Sequence, residues 1–414
     1  MNKLTAIVIG AGDRGTDAYA PFALKNPHKL EIVGIAEPLD DRRTVFKEKF
    51  NLKDNQCFKD YNKILHEDKL ADIAIICTQD KMHFQPTIHA LKKGYHVLLE
   101  KPMSPDANEC IEMAKVAEEN GRILSICHVL RYTKFFQKLK NLIDSGNIGK
   151  VVSVQHNENV GYYHQAHSFV RGNWRNSDET APMILAKSCH DMDILIYLIG
   201  ENCLKVSSFG SLTHFNSENA PKGAPLRCLN GCPHDDACPY YAPKHYLGDN
   251  IGWPVCTITT DLSYDGRLKA LKEGPYGRCV YHCDNNVVDH QVVNLEFEHG
   301  VTASFTMCAF THDVGRTIKI MGTNGEIRGH LNNREIEIHN FCDNSIEKIS
   351  LPVPKSGHGG GDFGLIKDFV DLVNGKRCDS LTSAKISVQS HLMALAAEKS
   401  RVEQRIILLD EFFK

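Results

Sequence analysis

Gly10-Ala11-Gly12-Asp13-Arg14-Gly15 has the pattern G-x-G-x-x-G and stands between an apolar run at 5–10 and a helical stretch. In that setting the first glycine makes a tight turn and the second lets a pyrophosphate approach the backbone. The third lets the helix pack on a sheet, with the helix N-terminus facing the phosphates. Glu37 ends the next apolar run. A carboxylate there can accept both ribose hydroxyls of NAD and repels the 2′-phosphate of NADP. Arg42 and Arg43 lie close by, so NADP is also possible. Thr78 and Gln79 follow the third apolar run, at the carboxyl edge of a sheet where such a cofactor lies. A different chemistry belongs to Cys228, Cys232 and Cys238, with Cys256, Cys279, His282 and Cys283 farther along. Three or four thiolates can hold a structural zinc ion, and an iron–sulfur cluster takes the same number. The spacing matches neither kind of standard motif. Free thiols in a turn-rich loop are the plainer alternative, and no metal ligand is assigned.

The elements around these groups follow a readable order. Continuous apolar runs at 5–10, 31–37, 72–77, 96–102 and 123–129 alternate with helical stretches such as 41–50 and 105–120. Such runs are strands buried on both faces, so residues 1–125 are expected to form a Rossmann domain, a doubly wound parallel sheet. From about residue 150 the pattern changes to alternating strands at 150–160, 203–212, 291–300, 301–310, 316–322, 325–331 and 335–341. A helix is expected at 181–199, and further helices within 362–402. Residues 126–414 therefore read as a second, α+β domain with a mainly antiparallel open sheet. Residues 215–285 are rich in Gly, Pro, Asn and Cys, too long for a plain loop, and are expected to be an inserted lid or subdomain.

Charge narrows the functions. The chain carries 48 Lys+Arg against 51 Asp+Glu, a net of −3, with no block of one sign. A nucleic-acid binder would show a basic face, so nucleic acid is not an expected partner. The most apolar long stretch, 183–199, contains Lys187, Asp191 and Asp193, so no membrane helix is expected. The start MNKLTAIVIGAG reads as a strand running into a glycine turn rather than an export segment. The fifteen cysteines are then expected to be free thiols in the reducing cytoplasm.

Glu100-Lys101-Pro102 closes the run at 96–102. With the glycine motif, the stretch Thr87–Val97 and the antiparallel second half, the chain resembles the Gfo/Idh/MocA family, the glucose–fructose oxidoreductase and inositol dehydrogenase group. Arg131-Tyr132, Ile148-Gly149-Lys150, His190-Asp191-Met192-Asp193 and Gly322-Thr323-Asn324-Gly325-Glu326 extend the likeness along nearly the whole chain. The resemblance implies an NAD(P)-dependent oxidoreductase acting on CH–OH groups of a sugar, cyclitol or glycoside, and homo-oligomers through the open sheet. Some members cleave glycosides by transient oxidation with a bound NAD, and a non-catalytic NAD-binding redox or metal sensor is a further alternative.

The family's E-K-P lysine corresponds to Lys101 and its active-site histidine to His190. Chemistry agrees with both roles: a histidine suits removal of a hydroxyl proton as hydride leaves, and an ammonium stabilises alkoxide charge. Lys187, three residues before His190, is expected either to assist it or to pair with Asp191. Glu100 and His83 are placed beside the cofactor. Arg131, Trp174 and Arg175 are expected in the substrate pocket, and His290 to face the cleft. One departure is clear: where the family places an Asp one turn before the histidine, this chain has Ala186.

Overall fold

The computed structural model describes residues 2–353 and 358–413. Six strands form the first sheet: β1 (Leu4–Ile9), β2 (Leu30–Ala36), β3 (Cys57–Phe58), β4 (Ile73–Ile76), β5 (His96–Leu99) and β6 (Leu124–Ile126). They run parallel in the order β3-β2-β1-β4-β5-β6. All of Ile73–Ile76 is buried, as a strand covered on both faces must be. The strand order reverses between β1 and β4, which opens a crevice at their carboxyl ends. Gly10 sits at that edge with φ +95°, and a Cβ there would lie 2.5 Å from the Cys77 carbonyl oxygen. Only glycine fits such a position.

Nine strands form the second sheet: β7 (Val151–Asn159), β8 (Cys203–Ser211), β9 (His290–Phe297), β10 (Thr302–Cys308), β11 (Gly315–Gly322), β12 (Gly325–His330), β13 (Glu335–Asn340), β14 (Ile346–Ser350) and β15 (Ile407–Leu408). Their order is β14-β13-β12-β11-β7-β10-β9-β8-β15. Every neighbouring pair is antiparallel except β7 and β10, so the sheet is mixed and mostly antiparallel. One face packs against helices Cys189–Ile199 and Ala384–Glu403, and the other is open. Phe209, 72% exposed, pairs with the exposed Val292 on the open face.

Three sequence expectations change here. The helix expected at 181–199 is two helices, Met183–Ala186 and Cys189–Ile199, with Lys187 and Ser188 between them. Helix Gly361–Val373 packs Leu365, Ile366, Phe369 and Val370 into the core under β1 and β2, so packing does not follow the chain order implied by a division at residue 125. His290 shares the open face with Val292, while Gln291 and Val293 point into the core. The two-residue period of a strand therefore turns His290 away from the face on which His190 lies.

The segment 215–285 has its own small cores. Phe215, Tyr240 and Val280 form one, and Cys228, Ala242, Tyr246, Val255 and Leu271 another. It also contains a helix, Tyr264–Glu273, capped by the Ser263 side chain on the Gly266 N–H. Weak amphipathic patterning hid this helix in the sequence.

A buried charge network lies beneath the ends of β7 and β11. Arg316 reaches Asp191 at 2.7 Å and Glu158 at 2.8 Å, while His156 meets Asp191 at 2.7 Å. Burial alone would protonate Asp191, but the Arg316 guanidinium and His156 hold its carboxyl well below the usual range. Replacing Arg316 leaves Asp191 with His156 and Glu158 with Lys187 as their remaining ionic partners. Arg316→Met is expected to lose about 3–5 kcal/mol of stability in urea unfolding. Lys205→Met, at the exposed Lys205–Glu296 pair, should cost no more than about 1 kcal/mol.

Candidate active site

The Glu100 carboxylate organises the carboxyl edge of the first sheet. Its Oε1 accepts from Arg14 Nε at 2.6 Å and from the Tyr19 hydroxyl at 2.6 Å, and its Oε2 accepts from the Lys101 backbone N–H at 2.7 Å. Arg14 also pairs with Asp362 at 2.7 Å. Burial opposes ionisation of Glu100, but Arg14, Lys101 and Tyr19 outweigh it and hold the carboxyl below its ordinary value. The glycine turn, the Lys101 backbone and helix Gly361–Val373 are thus tied to one anion. Arg14 and Glu100, expected to touch cofactor, have side chains committed to this knot.

The turn itself fits a dinucleotide. A Cβ on Gly12 would meet nothing nearer than the Arg42 guanidinium at 4.0 Å, so a phosphate can approach with a cation at hand. A Cβ on Gly15 would lie 2.2 Å from the Gly10 oxygen, which explains the third glycine. Glu37 is buried and accepts from Ala11 N at 2.7 Å and Leu39 N at 3.0 Å. These bonds aim the carboxylate at the crevice and leave lone pairs for ribose hydroxyls. Arg43 is occupied with the Glu37 carbonyl and Asp40.

Lys101 projects from this edge. Its Nζ donates to the Ala186 carbonyl at 2.8 Å. Ala186 has no side-chain acceptor, yet its carbonyl takes over the task of holding the ammonium. Lys187 forms an ion pair with Glu158 at 3.2 Å rather than with Asp191. Burial lowers the Lys187 pKa, and Arg316 adds to this against the opposing pull of Glu158. His190 opens helix Cys189–Ile199 and lies almost edge-on to His128, ring centroids 5.7 Å apart. His128 lies against His391 at 5.4 Å. Met103 N donates to His391 Nε2 at 2.8 Å, which puts the His391 proton on Nδ1, bonded to Ser387 O. Burial holds His128 and His391 well below the usual histidine range, His391 at about 3. Both are therefore neutral neighbours that fix the His190 ring by packing.

Other expected residues are engaged elsewhere. Arg131 is buried and forked onto Asp193, both bonds 2.7 Å, with a third bond to Leu381 O, so it cannot reach a substrate. Arg175 holds Asp284 at 2.8 Å and Glu179 at 3.1 Å on the surface. Both nitrogens of the buried His83 face carbonyls, Pro102 O at 2.6 Å and Thr78 O at 3.0 Å, so it braces two loops instead of touching nicotinamide. Thr78 Oγ1 donates to Met82 O, and Gln79 accepts from Asn173 at 3.0 Å. Trp174 Nε1 donates to Asp80 at 3.2 Å.

Two residues at the site were given no role from the sequence: Asp80 stood out only as part of the loop after the third apolar run, and His164 not at all. Asp80 is buried beside His83 and Lys101, and burial raises its carboxyl pKa despite those cations and the Trp174 indole. Its position one residue after Thr78 and Gln79, at a strand's carboxyl edge, was the available signal. His164 lies just beyond β7, within the fields of Lys187 and Lys101. Burial first, then those cations, His167 and Arg316, push its pKa well below the usual value. Trp253 of the 215–285 segment packs edge-on against His164, ring centroids 4.8 Å apart. No motif marked His164, because a histidine in an aromatic stretch reads as core.

A family model for the NAD-binding Rossmann fold of an oxidoreductase family matches residues 4–128, and its C-terminal alpha/beta domain model matches residues 140–405. The chain is 26% identical over 405 residues to the oxidoreductase YteT of Bacillus subtilis, covering 93% of this chain and 92% of that protein. It is 26% identical over 200 residues to an inositol 2-dehydrogenase of Salmonella typhimurium, covering 48% and 55%. A solved levoglucosan dehydrogenase, in complex with NADH and L-sorbose, superposes with a TM-score of 0.73 at 18% identity over 99% of both chains. With both domain models matched in sequence order on this fold, the chain belongs to the Gfo/Idh/MocA family of NAD-binding oxidoreductases.

Proposed function

We propose that the chain moves a hydride between NAD and a carbinol or ketone carbon of a sugar, cyclitol or glycoside. One observation carries this reading. The Lys101 ammonium, in a buried cleft, is held by a carbonyl, and no carboxylate ion-pairs with it among the described residues. Its charge is free to meet an alkoxide developing on the substrate. Bound NAD supplies the hydride acceptor or donor. His190 takes or returns the hydroxyl proton, and Lys187, its pKa lowered, exchanges protons through the same cleft. Asp80, held by the Trp174 indole, lies within the field of Lys101. The relatives named for inositol and levoglucosan support a polyhydroxylated substrate.

A redox-neutral glycosidase is the second reading. It needs one more base, and the neutral His164 beside Lys187 offers it. Thr260 of the 215–285 segment also reaches Asp41 on the cofactor side at 3.4 Å, which favours a retained cofactor. All fifteen cysteines are free, in keeping with work in a reducing compartment such as the cytoplasm. No described helix is long and apolar enough to cross a membrane. The open sheet face with Phe209 and Val292 suits self-association into a homo-oligomer.

NADH absorbance and aglycone release, followed together on a panel of sugars, inositols and aryl glycosides, separate the readings. Accumulating NADH supports a dehydrogenase, whereas NAD-dependent release without net NADH supports the glycosidase. In either case Lys101→Met should lower kcat by about 100- to 1,000-fold while leaving NAD binding intact. Unchanged kcat would remove Lys101 from the chemistry. Glu37→Gln should weaken NAD about tenfold in a fluorescence titration, a loss of about 1.4 kcal/mol, and narrow the gap to NADP. An unaltered preference would mean that Glu37 does not meet the ribose.

A further inference from the structure

Arg171 is the largest fully buried side chain, 1% exposed. Its Nε donates to Arg278 O at 2.7 Å, and one terminal nitrogen donates to Tyr240 O at 2.7 Å and to Cys228 Sγ at 3.7 Å. The Tyr246 hydroxyl lies beside it. No carboxylate is among these partners. A buried guanidinium without a counter-ion is costly, because carbonyl dipoles do not neutralise its charge. What the guanidinium faces is a cavity of about 20 Å³ lined by Cys228, Cys232, Cys238 and Cys279. That volume takes one water-sized body.

We infer that these four cysteines form a single-ion zinc site whose thiolates supply the missing negative charge. Four thiols lose their protons to solvent as the ion binds, and a zinc ion with four thiolates carries a net charge of −2. The adjacent Arg171 then becomes half of a compensated pair. No group of three or more His, Cys, Asp or Glu among the described residues is already disposed to hold a metal ion, so the four side chains must turn inward as the ion binds. The site also selects among the thiols of the segment. Cys283 bonds to Cys279 O and does not line the cavity, and His282 is turned to Ala224 O.

The consequence is mechanical. Cys228, Cys232 and Cys238 lie on one stretch of the segment and Cys279 at its return, while Arg171 ends the helical turn Gln165–Arg171, adjacent to His164. One ion therefore fastens both ends of the segment that carries Trp253 onto His164 and Thr260 toward Asp41.

The test is elemental analysis of the full chain, grown with zinc and freed of loose metal by gel filtration. It should hold about one zinc per chain. Cys228→Ser and Cys238→Ser should each lose it, and Cys283→Ser should keep it. Should the serine variants fail to fold, cobalt exchange into the wild-type chain gives an independent answer. A tetrahedral cobalt spectrum with a strong thiolate charge-transfer band is expected. Metal-free wild-type protein, an octahedral cobalt spectrum, sulfide-bearing iron or loss of zinc in Cys283→Ser would each overturn the assignment.

Discussion

One buried carboxylate holds the active edge of this protein together. Glu100 accepts from Arg14, Tyr19 and the Lys101 backbone, and Arg14 passes the connection to Asp362. These bonds join a glycine turn after β1, a lysine after β5 and a helix more than two hundred residues later. A buried anion of this kind persists only because donors and a cation face both of its oxygens. Cofactor-loop geometry and the aim of Lys101 are therefore not independent properties. In Glu100-Lys101-Pro102 the glutamate fixes the backbone from which the Lys101 side chain projects toward Ala186 O.

A second buried network does similar work on the other side of the cleft. Glu158, Arg316, Asp191 and Lys187 alternate in sign beneath β7 and β11. Lys187 is thereby drawn out of the expected helix, which breaks between Ala186 and Cys189. The break frees the Ala186 carbonyl to hold Lys101. At this break the Ala186 backbone serves as acceptor to Lys101 on one side, and Lys187 pairs with Glu158 on the other. The buried titratable groups around Lys101 are thus Lys187 with a lowered pKa, His128, His164 and His391 held neutral by burial, and Asp80, a carboxyl of raised pKa.

Much of the architecture was readable in the sequence because it rests on periodicity. The buried runs gave the parallel sheet, the alternating runs gave the second sheet, and the glycine motif marked the cofactor edge. Side-chain commitments were not readable, since they depend on partners distant in sequence. Arg131 belongs to Asp193, Arg175 to Asp284, and Arg14 to Glu100 and Asp362. His290 was misplaced for a different reason: strand alternation fixes its face, but only once the buried face of β9 is known. Asp80 was assigned no role and His164 was passed over, because a lone acid in a loop and a histidine among aromatics carry no periodic signal. The segment 215–285 hid two small cores behind irregular composition.

The central claim is that the cleft around Lys101 and His190 passes hydride between a carbinol carbon and NAD. Sugars and cyclitols deuterated at single carbinol carbons test it directly, with the nicotinamide examined by proton NMR after incubation with the wild-type chain. Deuterium at nicotinamide C4 from one labelled position is the predicted result in net oxidation; in redox-neutral turnover the deuteride returns to the substrate, and a primary isotope effect on kcat from that one position is predicted instead. Substrate conversion with neither deuterium at the nicotinamide nor an isotope effect on kcat, from any labelled carbon, would contradict hydride transfer.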